Sequence, residues 1–336
     1  MKRPLLWAAL FSMIAALMPF PDAWLAGAQE ITRLRIATLA PRGSTWMRVF
    51  NAWNQELKTR TENAVQLQFY PGGVQGDERD FVQKMEAGQM DGAAVTTTGL
   101  SQIARPILVL AAPGVAERYE QIDKIRGAMQ GELEELFTSN GYVLLGWGDV
   151  GKARIFSKEP LRRPVDLTRQ RPWAWREDQI FGTFLEVIGA NPVRLGVPEV
   201  YPALQTGQVN AVPASALAAV SLQWHTRLRY VTEQNSSIIV GATLLKKARL
   251  DALSPEHRQA VVETAARAHS LLTRAIRRDD DRAYQTVLER GISAVSIEAH
   301  RTEWEQAARQ TRQRLVGQLF SAELLRRVQS AAAGDH

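Results

Sequence analysis

The chain has 336 residues, 45% of them hydrophobic and 23% charged. That is too long for one ordinary core and suits about two domains, and it excludes general disorder and a fibrous protein. The formal charge is +6, and cysteine is absent. The missing cysteine excludes a disulfide scaffold, a thiolate metal or iron–sulfur site, a cysteine nucleophile and lipid attachment through an N-terminal Cys.

Lys2 and Arg3 precede an apolar run from Leu5 to Phe20, and Ala26-Gly27-Ala28 follows as an A-x-A pattern. The run is short for a bilayer anchor but has the charge order of an export signal. Residues 1–28 are therefore expected to be removed, leaving an exported, soluble chain in the periplasm.

Strand and helix patterns then alternate. Leu34–Thr38 reads as a strand, with Ser44 as cap of a helix carrying Trp46, Met47, Phe50, Trp53 and Leu57. Val65–Tyr70 alternates as a strand, and Asp77 can cap a helix ending at Gly88. Gly92–Thr96 is a third strand, so the β-α-β-α-β order predicts a parallel sheet with right-handed crossovers. Residues 117–139 read as two helices and Tyr142–Leu145 as a strand. The Arg- and Pro-rich stretch Lys158–Pro172 suits a domain crossing. A strand at Trp173–Trp175, a helix at 178–188, a strand at Val193–Leu195 and a helix at 198–206 follow, and 230–245 looks extended. Ser254-Pro255-Glu256 opens a helix that runs to Gly291, about 50 Å long, enough to touch two domains. A helix from about 302 to 317 precedes a short alanine-rich tail at 331–334.

Several chemistries lack support. His225, His257, His269, His300 and His336 form no metal-binding spacing, and most fit exposed helix positions. No serine nucleophile elbow or nucleotide phosphate loop occurs, and Gly72-Gly73-Val74-Gln75-Gly76 reads as a turn. Asp279-Asp280-Asp281 fans out around a helix and reads as a solvated face, not a cation site. Basic residues are interleaved with acids, so nucleic acid is not an expected partner. No metal or cofactor is expected.

Tryptophan is more informative. Trp53 and Trp304 fit the buried faces of helices, whereas Trp46, Trp147, Trp173 and Trp175 follow or occupy strand ends. Ligands of open α/β sheets sit beyond the carboxyl ends of strands, so these four suggest an aromatic pocket.

The segments Tyr201-Pro202-Ala203-Leu204-Gln205-Thr206-Gly207-Gln208-Val209-Asn210, Pro160–Leu167 and Gly189–Val193 resemble the TRAP transporter solute-binding proteins, the DctP family. Tyr70-Pro71-Gly72-Gly73 and the approach from Glu86 to Gly92 resemble the same family, so the likeness covers about residues 31–320. It implies an α/β, two-lobed periplasmic-binding-protein fold with a hinge, a central cleft and a long helix spanning both lobes. Lobe I would comprise 29–150 plus about 240–278, and lobe II 151–239 plus about 279–330. It also implies a small-molecule solute, small and large TRAP membrane permease subunits as partners and, in some systems, a tetratricopeptide-repeat helper protein.

The family's usual carboxylate-binding arginine falls at Trp173, and the asparagine that often assists it falls at Ala214. A second, less regular arginine maps to Ala153 or Arg154. A buried carboxylate without a paired charge is costly, so the expected ligand is apolar or aromatic. Trp46, Trp147, Trp173, Trp175 and Trp224 would form its walls, with polar handles from Thr96, Thr97, Asp149 or Asn210. The alternative is an organic acid held by Arg154 or Arg176. A secreted α/β enzyme would need a catalytic constellation that the sequence does not display, and a receptor reporting to a sensor is a third reading.

Overall fold

The computed structural model describes residues 31–334, so the expected export signal lies outside the described residues. β1 (Thr32–Thr38) buries Leu34 and Ile36. Ser44 caps α1 (Thr45–Arg60) by accepting from the Met47 N–H, as predicted. β2 (Val65–Tyr70), α2 (Glu78–Glu86) and β3 (Gly92–Thr96) follow. β1 pairs in parallel with both β2 and β3, the arrangement expected of this element order.

The middle of the chain agrees with expectation in one element and departs in the next. After α3 (Thr97–Leu100) and a 3-10 turn at Arg105–Ala111, α4 (Tyr119–Thr138) consists of two helical stretches joined across a kink, as the sequence reads. The kink falls at Met129, between Gly127 and Gly131. β4 (Tyr142–Ser157) runs for 16 residues instead of stopping at Leu145. Gly146, Gly148 and Gly151 hide its second half from a propensity reading.

β5 (Trp173–Trp175), α5 (Gln179–Val187), β6 (Val193–Leu195) and α6 (Val197–Thr206) match their predicted positions. β7 (Ala211–Ala214), α7 (Ala216–Ser221), β8 (Tyr230–Thr232), β9 (Ser237–Lys246) and α8 (Lys247–Asp251) lead to the long helix α9 (Pro255–Glu289). After β10 (Ser293–Val295) come α10 (Arg301–Leu315) and α11 (Ala322–Ala333). The alanine-rich tail is therefore the end of α11, with Ala331 and Ala332 buried and Gly334 as its left-handed cap.

The main sheet is mixed rather than parallel throughout, in the order β10-β8-β4-β9-β3-β1-β2, with β7 also paired to β4. β4 and β9 are long antiparallel neighbours at its centre, with register shifts at Leu144/Gly146 and Asp149/Gly151. One end of β4 lies beside β9 and the other beside β7 and β8, so this strand belongs to both halves of the fold.

α9 crosses that centre at close range. A Cβ at Gly146 would collide with the His269 ring, and one at Gly151 would lie 2.5 Å from the Asp280 carboxyl. Gly151 also has φ +128°, which L side chains rarely adopt. Two sequence readings change here. Asp280 is not on a solvated face: it is buried and accepts from the Lys152 and Leu217 N–H groups, both at 2.9 Å, tying α9 to β4 and to the first turn of α7. His269 is likewise buried, packed edge-on against Trp53 at 5.3 Å. Among the described residues no helix is long and apolar enough to cross a membrane.

Candidate functional site

A cleft of about 900 Å³ opens over the end of β3 and the middle of β4 and β9. Thr38, Glu78, Thr96, Thr97 and Thr98 line one wall, and Trp173, Trp175, Phe184, Ala214 and Trp224 line the other. This is where the ends of parallel strands leave side chains without sheet neighbours.

The indole N–H groups of Trp46, Trp173 and Trp175 are all hydrogen-bonded. Trp173 and Trp175 point to one side of β5, with ring centres 6.2 Å apart, and Trp224 meets Trp173 edge-on at 5.3 Å. The Trp173 N–H donates to the Leu195 carbonyl at 2.9 Å and the Trp46 N–H to the Asp149 carbonyl at 3.2 Å. Their polar edges are used inside the protein; Trp173 and Trp224 are nearly buried and form the base of the wall, while Trp46 and Trp175 keep part of their ring surface toward the cleft.

Two tryptophans stand elsewhere than expected. Trp147 is not among the cleft-lining residues; it packs below the Arg126 guanidinium, 5.4 Å from its ring centre. The irregular register of β4 turns it toward α4, which a strand-end argument cannot foresee. Trp304, read as core, lines the cleft instead, stacked on Phe184 with ring centres 5.9 Å apart. Helical spacing reports that a face is covered, not that protein covers it.

The polar candidates divide in the same way. Thr96, Thr97 and Asp149 line the cleft. The Thr96 hydroxyl and N–H both donate to Glu78, as does the Gly99 N–H. Glu78 is buried, and that burial pushes its carboxyl up to about 8 despite the three donors. Asp149 is 1% exposed and bound on both oxygens, by Arg126 at 2.8 Å and Arg277 at 2.7 Å.

Asn210, Arg154 and Arg176 are not among the residues that line the cleft. Asn210 accepts from the Arg171 N–H at 2.7 Å and shapes the turn before β7. Ala153 and Ile155 face the cleft, so strand alternation sends Arg154 the other way, onto the Tyr284 ring at 4.2 Å. Arg176 pairs with Glu199 at 2.7 Å in an exposed position. Neither arginine named for the carboxylate alternative is placed to serve it.

One contact missed by the sequence reading crosses the cleft. Asp77 caps α2, and its second oxygen accepts from the Trp175 N–H and from the Val197 N–H that opens α6, both at 2.9 Å. One carboxylate thus serves the N-termini of two helices on opposite walls. Asp77→Ala is expected to weaken the contact between these walls by about 2 kcal/mol and to shift the population toward a form in which they stand further apart. X-ray scattering of the ligand-free variant should show a larger radius of gyration; an unchanged curve would refute a role of Asp77 in holding the walls together.

The bacterial extracellular solute-binding protein family 7 model, DctP, matches residues 36–318. The chain belongs to the DctP family. It is similar to the 2,3-diketo-L-gulonate-binding periplasmic protein YiaO of Escherichia coli K12, with 21% identity over 253 residues, 73% of this chain and 75% of that one. Among solved structures it resembles DctP7 of Bordetella pertussis, an extracytoplasmic solute receptor binding pyroglutamic acid (TM-score 0.81, 18% identity, 90% of this chain and 99% of that chain). It also resembles a TRAP periplasmic solute-binding protein of Shewanella oneidensis with bound succinate (TM-score 0.84, 14% identity, 90% and 99%). As a DctP-family member the chain is a solute receptor that works with membrane permease components, not an enzyme, and its mixed α/β fold is that of the two-lobed TRAP binding proteins.

Proposed function

We propose that this receptor captures a small organic acid with an apolar or aromatic body and delivers it to the small and large subunits of a TRAP permease. The observation that carries the reading is the composition of the cleft. Trp46, Trp175 and Trp304 offer partly exposed rings backed by the buried Trp173, Trp224 and Phe184, and arginines of α10 and the start of α4 line another side. The solutes of the similar proteins, 2,3-diketo-L-gulonate, pyroglutamic acid and succinate, are acids or their anions. They favour the carboxylate alternative over the wholly apolar ligand first expected. Export through cleavage after residue 28 and lobe limits near 150, 240 and 278 belong to the same reading. The path of β4, which passes from β9 to β7 and β8 near residues 153–154, supports the limit near 150.

Thermal melting with succinate, pyroglutamate, D-glucuronate, phenylacetate and benzoate, each beside its uncharged amide, tests it. At least one acid should stabilise the protein and its amide should not. Stabilisation by amides alone, or a neutral apolar molecule recovered by organic extraction of purified protein, would restore the apolar reading. Tryptophan fluorescence should follow binding of the same acid. Trp173→Ala is expected to remove most of that signal, and an undiminished signal would place the solute away from this wall.

A further inference from the structure

The geometry points to Arg312 as the residue that takes the solute's carboxylate, an assignment that rests on the organic-acid reading above. α10 sets Arg301, Arg309 and Arg312 along the cleft, and Arg118 lines it from the start of α4. Arg301 is already engaged: it makes three hydrogen bonds to Glu298 and lies 4.0 Å from Glu305. Arg118 and Arg309 are exposed, where an ion pair is weak and screened by salt.

Arg312 differs in burial and in anchoring. It is half-buried, and its Nη1 donates to the Pro113 carbonyl, which tethers one corner of the guanidinium. Gly114 makes the space: its φ is +72°, and a Cβ there would lie 2.9 Å from that Nη1. The Nε and Nη2 atoms form the side-on fork, and among the described residues neither has a hydrogen-bond partner. A guanidinium held by one nitrogen and open on its fork is pre-organised for a carboxylate.

The surrounding charges agree. Burial and the charge of Arg309 lower the Arg312 pKa and outweigh the opposing charge of Glu117, so a further anion at the fork would be favoured. Glu117 also lines this side, but burial raises its carboxyl and it forms no ion pair with Arg312. Acids elsewhere in the cleft are occupied. Asp149 holds two arginines, Asp178 caps α5, and Glu78 accepts from Thr96 and Gly99. The solute would therefore place its apolar body on the aromatic wall and its carboxylate at the α10 side, a polarity different from a clamp at Trp173.

Calorimetric titration with the same five acids, on wild type, Arg312→Gln, Arg309→Gln and Arg312→Lys, decides the matter. An acid that binds wild type should lose about tenfold or more in affinity with Arg312→Gln and less than about threefold with the exposed Arg309→Gln. If no acid binds wild type, the organic-acid reading falls and the Arg312 assignment falls with it. If an acid binds wild type and a normally melting Arg312→Gln equally well, the assignment alone is overturned. Should Arg312→Gln fail to fold, Arg312→Lys takes its place, since it keeps the charge and loses the fork. A clear loss of affinity then supports the assignment, and wild-type affinity overturns it.

Discussion

Asp149→Ala is expected to lower folding stability by about 3–5 kcal/mol, the largest effect of any single change at the cleft. Asp149 is buried at the centre of the sheet, and each of its oxygens accepts from a different arginine, Arg126 of α4 and Arg277 of α9. Removing the carboxylate leaves Arg126, itself buried, with only the Gly148 carbonyl. Arg277 keeps a bidentate pair with Asp123, at 2.6 Å to each oxygen, so the loss falls mainly on Arg126. Burial opposes the Arg277 charge, but the two carboxylates outweigh it and raise its pKa. Asp149→Asn keeps the shape and one acceptor and should cost less than the alanine change. Urea unfolding at neutral pH reads both, with the midpoint moving and the slope unchanged. A loss below about 1 kcal/mol for Asp149→Ala would show that the pairs contribute little beyond their own desolvation. Because both oxygens are engaged, we expect solute affinity to follow stability and not the Asp149 charge itself.

The role of Asp149 shows where sequence reasoning stops. Period and capping residues made β1, α1, β2, α2, β3 and α9 legible, because each signal lies within one element. Trp46, Trp173 and Trp175 were placed on the cleft from strand ends and spacing, and they line it. What escaped depends on partners far along the chain. Asp149 looked like a solute handle because its arginines are Arg126 and Arg277, neither of them near in sequence. Asp280 looked solvated because the N–H groups it holds come from β4 and α7. Arg154 looked available because a register shift at Asp149/Gly151 decides which way β4 presents its side chains. Arg312 gave no signal at all: it is one of many arginines on α10, and its cleft-facing place depends on Pro113 and Gly114. The glycines of β4 were the available hint, since a run of them within a strand marks the close approach of another element.

That close approach also sets a pH dependence. His269 lies against Gly146, with Nδ1 2.8 Å from the Ala265 carbonyl and Nε2 2.8 Å from the Thr243 hydroxyl. A carbonyl can only accept, so Nδ1 carries the proton and Nε2 accepts from Thr243. Burial disfavours the imidazolium and lowers the pKa from 6.5 to about 4. The folded value lies below the unfolded one, so between these limits the unfolded chain binds more protons. Stability from the neutral ring is fully present above pH 6.5 and is lost as pH falls to about 4, by about 3 kcal/mol in all. Glu78 acts in the opposite sense. Its folded pKa of about 8 exceeds its ordinary 4.5, so it favours the folded state as pH falls from 8 to 4.5. The wild-type curve alone therefore mixes the two groups, whereas the difference between wild type and His269→Gln cancels Glu78. Urea unfolding of both proteins at steps from pH 7 to pH 4.5 should show the wild-type advantage shrinking steadily toward acid. A difference that stays flat across that range would mean that His269 is not held neutral by burial, and the acid sensitivity would then belong to the carboxylates.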